Sequence, residues 1–190
     1  AVANKAHCQF LNKDATWTVL RTGINSESYR EYSIWKDSTI NDTVYSLFTH
    51  NRLLFALRED SNRVYYKLLK GTLPGYDTLK NHEHVLYDFN LTVGDSIYLF
   101  LPFNSPKYST DYVVQEVDSI LIGNTLKKRM YLEITPTHLN YGSGEQYWIE
   151  DIGSLSGPLY LIGISEHEVF FELYCYRLNN EKLYGDCLIN

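Results

Sequence analysis

The spacing of its apolar runs constrains this chain more than any other feature. Short runs rich in Val, Ile, Tyr, Phe and Trp are cut by Gly, Pro, Asn and Asp about every 8 to 12 residues, the pattern of strands joined by turns. Thr16 to Arg21 reads as a first strand, Tyr32-Ser33-Ile34-Trp35 alternates, Asp37 to Asp42 supplies a polar turn, and Val44 to Phe48 returns. Leu53 to Arg58, a break at Glu59-Asp60-Ser61-Asn62, and Val64 to Leu69 form a second hairpin. Further strands are predicted at Val85–Phe89, Ser96–Leu101, Tyr112–Ile122, Arg129–Ile134, Leu159–Ile164, Val169–Tyr176 and Lys182–Tyr184. Loops fall at Gly71–Asn81, around Pro102 and Pro106, and at Thr135–Glu145. No segment sustains the i, i+3, i+4, i+7 pattern of a buried helix; Ser38 to Arg52 comes nearest, and its β-branched residues tell against it. The expectation is an all-β fold with few or no helices. Its antiparallel meander of about ten strands would form a curved sheet, half-barrel or barrel. Residues 1–190 form one domain, with 1–14 as a flexible N-terminal segment.

Composition narrows the function classes. Hydrophobic residues at 44% and charged residues at 21% are those of a soluble globular protein, and a domain of this length buries roughly 70% of its unfolded surface. A net charge of −6 argues against nucleic acid as a partner, because phosphate binding needs a clustered basic surface. The basic run Lys127-Lys128-Arg129 reads as a turn flank. No apolar run approaches the roughly 18 residues of a membrane span. Ala1-Val2-Ala3-Asn4-Lys5-Ala6 reads as a start left by signal removal or by an engineered boundary. Of the cysteines, Cys175 and Cys187 flank a predicted hairpin and are the candidate disulfide, leaving Cys8 free or paired between chains.

The sequence carries no complete catalytic constellation. Gly153-Ser154-Leu155-Ser156-Gly157 has its serines at the wrong offsets for a nucleophile elbow. His82-Glu83-His84 places two imidazoles on one face of an extended chain, where His50 or His138 could complete a metal site, but no ligand spacing supports it. Glu59-Asp60 and Glu150-Asp151 are the carboxylate pairs to weigh for glycoside hydrolysis. Neighbours on a strand point to opposite faces, so neither pair faces itself; Glu59-Asp60 reads as a hairpin turn, and Asp88, Asp95 and Asp118 as acceptors for turn N–H groups. Neither a P-loop nor a dinucleotide fingerprint is present.

The densest motif is Trp148-Ile149-Glu150-Asp151-Ile152-Gly153-Ser154. Together with Asp37-Ser38-Thr39-Ile40-Asn41-Asp42-Thr43-Val44-Tyr45, Leu57-Arg58-Glu59-Asp60, Leu86-Tyr87-Asp88-Phe89-Asn90-Leu91-Thr92-Val93-Gly94-Asp95 and Leu173-Tyr174-Cys175-Tyr176, it resembles a family of uncharacterised secreted Bacteroidetes proteins. Many members carry a type IX secretion sorting domain. More distantly the chain is similar to LolA-like half-barrel lipoproteins. Lys36, Asp42 and Asp151 stand where the family more often has glycine. The resemblance implies a secreted or cell-envelope β-domain located outside the cell, in the periplasm or at the outer membrane.

The function expected is non-enzymatic binding of a small hydrophobic, lipid-like or glycan ligand on a concave sheet face or at end loops. Trp35, Tyr87, Trp148 and Glu150 are the candidate contacts. No catalytic residue, metal or cofactor is assigned. The alternatives are a structural or adhesion module and, third, a carboxylate-based glycoside hydrolase; the oligomeric state is open.

Overall fold

The computed structural model describes residues 9–50, 53–71, 82–99, 110–134, 146–159 and 170–187. The strands are β1 (Ala15–Gly23), β2 (Ser26–Ile40), β3 (Thr43–His50), β4 (Leu53–Asp60), β5 (Arg63–Lys70), β6 (His84–Asp88), β7 (Ser96–Leu99), β8 (Thr110–Ile122), β9 (Thr125–Ile134), β10 (Gln146–Ile149), β11 (Gly153–Ser154), β12 (Phe170–Leu178) and β13 (Glu181–Gly185). They form two antiparallel sheets. The larger, in the order β13-β12-β1-β2-β3-β4-β5-β6, is curled into a half-barrel, and the smaller runs β11-β10-β9-β8-β7. The fold is all-β, as the turn spacing predicts, with the strands divided between two sheets.

Tight turns set the register. Asn41 and Asp42, Ser61 and Asn62, and Asn179 and Asn180 all have positive φ, between 48° and 64°. Two consecutive left-handed residues match the twist of a two-residue hairpin, and Asn and Asp tolerate that conformation better than other side chains. The polar turn expected over Asp37–Asp42 is therefore shorter: β2 continues through Ile40 and only Asn41-Asp42 turns. Glu59 and Asp60 likewise belong to β4, the turn being Ser61-Asn62. Asp42 and Asp151 keep tight left-handed turns without glycine, at φ 63° and 70°.

Inward-facing residues of both sheets share one core. Trp17 and Val19 of β1, Phe48, Phe55, Leu57, Tyr66 and Leu68 meet Tyr112, Met130, Leu132, Trp148 and Ile149 of the smaller sheet. Each such side chain contributes roughly 1.5–3 kcal/mol on burial. The described positions on the inner face of the half-barrel are thus occupied by packed side chains. Phe10, within the segment expected to be flexible, is fully buried, and residues 1–8 lie outside the described residues. A smaller cluster, Tyr45, Leu47 and Ala56, lies on the opposite face of the large sheet. Glu83 closes it, accepting from Tyr45 Oη at 2.7 Å and from Arg58 at 2.7 and 2.8 Å.

Cys175 and Cys187 are bridged, with Cα atoms 4.8 Å apart. The chain can double back there because residue 185 is glycine: φ is 77°, and a Cβ would lie 2.2 Å from the Tyr174 carbonyl oxygen. The β12-β13 hairpin lies at one edge of the larger sheet, whereas β4-β5 lies inside it between β3 and β6. The predicted loops at Gly71–Asn81, Pro102–Pro106 and Thr135–Glu145 lie wholly or mostly outside the described residues, as does most of the strand predicted at Leu159–Ile164. Cys8, the side chain of His50, and His138 are also outside them.

Candidate functional site

The four expected contact residues separate into two groups. Trp148 and Tyr87 are fully buried, their rings 5.1 Å apart edge to face. They belong to the joint between the sheets. Tyr87 Oη, from β6, accepts from Ser154 N at 3.0 Å and donates to the Pro158 carbonyl at 2.9 Å. Trp17 Nε1, from β1, donates to the Ile152 carbonyl at 2.9 Å. Ser154 Oγ bonds Gln146 Oε1 at 2.9 Å and accepts from Ser156 N at 3.0 Å. Gly153 sits so deep among these rings that a Cβ would come within 2.8 Å of Phe10 and 2.9 Å of Tyr87, and its φ of 91° is itself unfavourable for other residues. Trp148 Nε1 has no hydrogen-bond partner among the described residues, so its indole is held by packing.

Glu150 is half-buried beside this joint. Its backbone N–H donates to the Lys128 carbonyl at 2.9 Å, and its carboxylate lies 3.4 Å from Lys128 N. Lys128 itself reaches the carbonyls of Phe89 and Leu91 at 2.9 and 2.5 Å. Burial pushes its ammonium below the ordinary lysine range, against the pull of Glu150, Asp88 and Asp95. Glu150 thereby takes part in joining β9 to β10.

Trp35 is placed differently. In β2, Tyr32 and Ile34 point into the core, while Glu31, Ser33 and Trp35 point outward. The pairing with β3 steps from Ile34↔Phe48 to Lys36↔Leu47, so Trp35 is the extra residue of a β-bulge. The indole there is 61% exposed, with Lys36 Nζ 4.4 Å from its ring centre. Glu31, Tyr32, Ser33, Trp35 and Thr49 line an open groove of about 310 Å³ on the outer face of the half-barrel. On the inner face beneath it, Tyr32 stacks on Phe48 with centroids 5.7 Å apart and planes 13° from parallel. Beyond the bulge, Asp37 accepts from Ser46 Oγ at 3.1 Å and pairs with Lys13 at 2.6 Å; the hydrogen bond from Lys13 holds its carboxyl below the usual range.

A second cleft, of about 200 Å³, opens between Asn12, Thr125, Lys127, Asp151 and Leu183. Asp151 accepts from Gln9 N at 2.6 Å and is ion-paired to Lys127. Both its oxygens are thus engaged in tying the N-terminal segment to the smaller sheet. The other carboxylates have structural partners too. Glu59 accepts from Phe10 N and Leu11 N at 2.7 and 3.3 Å, and Asp60 from Ser61 Oγ at 2.8 Å. Asp88 and Asp95 accept turn N–H groups, of Asn90 and Thr92, as expected. Asp118 does not: it pairs with Arg129 across the β8-β9 ladder, and that hydrogen bond keeps its carboxyl low. Burial lowers the pKa of His84, and no group of three or more His, Cys, Asp or Glu among the described residues is placed to hold a metal.

The outer groove therefore joins one expected residue, Trp35, to three that sequence reasoning did not single out: Glu31, Ser33 and Thr49. Alternation along 29–35 is the sequence signal for their common face; the bulge itself leaves none. Comparison of the chain with known protein families, curated proteins and solved structures finds no match.

Proposed function

We propose that this chain is a non-enzymatic binding domain, secreted or held in the cell envelope, that takes a glycan on the outer face of the half-barrel. The observation that carries this reading is the solvent-exposed indole of Trp35, set by a bulge in a groove with Glu31, Ser33 and Thr49. An aromatic ring offers a flat apolar face to the C–H face of a sugar, and hydroxyl and carboxylate neighbours meet the sugar hydroxyls as acceptors and donors. Lipid is the poorer fit, because the described inner face is filled and the groove is open and polar-walled. The bridged cysteines support residence in an oxidising compartment.

Native electrophoresis through gels containing xylan, mixed-linkage β-glucan, galactomannan or starch tests the proposal. At least one polymer retards the wild-type chain, and Trp35→Ala restores free mobility with an unchanged denaturation midpoint. Free mobility of the wild type in every gel refutes it.

A further inference from the structure

We infer that the groove at Trp35 is one end of an extended site that reads several consecutive sugars of a neutral polysaccharide, with Tyr29 and Tyr174 as its second platform. This rests on the glycan reading above. Tyr29 shares the outward parity of Glu31, Ser33 and Trp35 along β2, and it is 44% exposed. It packs edge to face on Tyr174 with centroids 4.9 Å apart. Tyr174 is the product of a second irregularity: pairing of β1 with β12 steps from Thr18↔Cys175 to Val19↔Leu173, leaving Tyr174 as the extra residue. Bulges on the two strands that flank β1 thus deliver aromatic rings to the same outer face.

Trp35 lies six positions beyond Tyr29 on β2, roughly 20 Å at the rise of a β-strand. One sugar ring cannot touch both platforms, whereas a linear oligosaccharide laid along β2 can. Between them lie Glu31 and Ser33, and the β1 residues opposite these, Thr18 and Thr16. This is a row of hydroxyls around one exposed carboxylate, with Lys36 beside the Trp35 ring and Arg177 opposite Thr16 as cations near its ends. Glu31 accepts from neighbouring sugar hydroxyls and disfavours a uronate or sulfate at the same place, and the net charge of −6 acts in the same direction.

Titration calorimetry with oligosaccharides cut from a retarding polymer tests this on wild type, Trp35→Ala, Tyr29→Ala and Tyr29→Phe. The hexasaccharide binds about tenfold more tightly than the disaccharide. Tyr29→Ala weakens the hexasaccharide about fivefold, the worth of one aromatic contact, and leaves the disaccharide unchanged. Tyr29→Phe, which keeps the ring, binds as wild type, and polygalacturonate is not bound. Equal affinity for both lengths, or a Tyr29→Ala variant with undiminished hexasaccharide binding while Trp35→Ala still loses it, overturns the extended site and leaves the single platform standing. Tighter binding of polygalacturonate than of the neutral chain overturns the neutral specificity. If no polymer binds, both readings fall.

Discussion

Trp148 and Trp35 are the same side chain used in opposite ways. Trp148 sits in the chain's most distinctive motif and is wholly enclosed where two sheets meet. Trp35 sits on the exposed side of an alternating strand, at the point where one extra residue interrupts the pairing with β3. The joint gathers Gly153, Ser154, Tyr87 and Trp17 into a network in which side chains bond the backbone of the other sheet. The outer groove makes no comparable demand on its neighbours. In this molecule, density of motif marks where the fold is held together, and the exposed indole lies instead at a local break in strand regularity.

Substitutions can break that contrast, and the largest effect is expected at Gly153. Gly153→Ala adds a methyl to a position with φ 91° and about to collide with Phe10 and Tyr87, so chemical denaturation should show a loss of about 3 kcal/mol or more. Next comes Tyr87→Phe. It strands the buried Ser154 N–H and Pro158 carbonyl, and the expected loss is about 1–3 kcal/mol.

Acid stability follows with a defined sign. Arg58 holds the Glu83 carboxyl below its ordinary 4.5 in the folded chain, and that hold disappears on unfolding. The stabilisation is complete above about that pH and is lost as pH falls through the lowered native value. Glu83→Gln should therefore flatten the acid limb of a stability–pH curve.

The smallest effects belong to Trp35→Ala and Glu150→Gln. Each should leave the unfolding free energy within about 0.5 kcal/mol of wild type, and only Trp35→Ala should abolish glycan retardation. Were Glu150→Gln to abolish it as well, the joint and the groove would no longer be separate regions.

Much of the fold could be read from the chain because it rests on local chemistry. Asn179-Asn180 and Gly123-Asn124 announce their turns, and alternation fixes which of Tyr32, Ser33, Ile34 and Trp35 face inward. Trp148 and Tyr87 misread as ligand contacts, because an aromatic side chain suits a binding face and a core equally and only the meeting of the two sheets buries them. Division into two sheets is not local. It depends on Trp17 and Tyr87 reaching the backbone at Ile152, Ser154 and Pro158, contacts between remote parts of the chain. The groove was legible only in part, since a bulge is a mismatch between two strands and neither sequence alone contains it. Glu59 misled for a related reason: its acceptors' partners, Phe10 N and Leu11 N, come from a segment whose composition looked like a free end.

The neighbour relations of β1 have a consequence for the order in which the molecule assembles. On one side β1 pairs with β2 through a short hairpin, and on the other with β12, near the far end of the chain. Trp17 is packed against both Phe48 and Tyr176, so its enclosure must await the last strands. Until β12 docks, β1 presents an unpaired edge beside a half-covered indole, the kind of surface on which growing chains stick to one another. Such distant closure is slow compared with hairpin formation, and the edge is removed only when the chain's two ends come together.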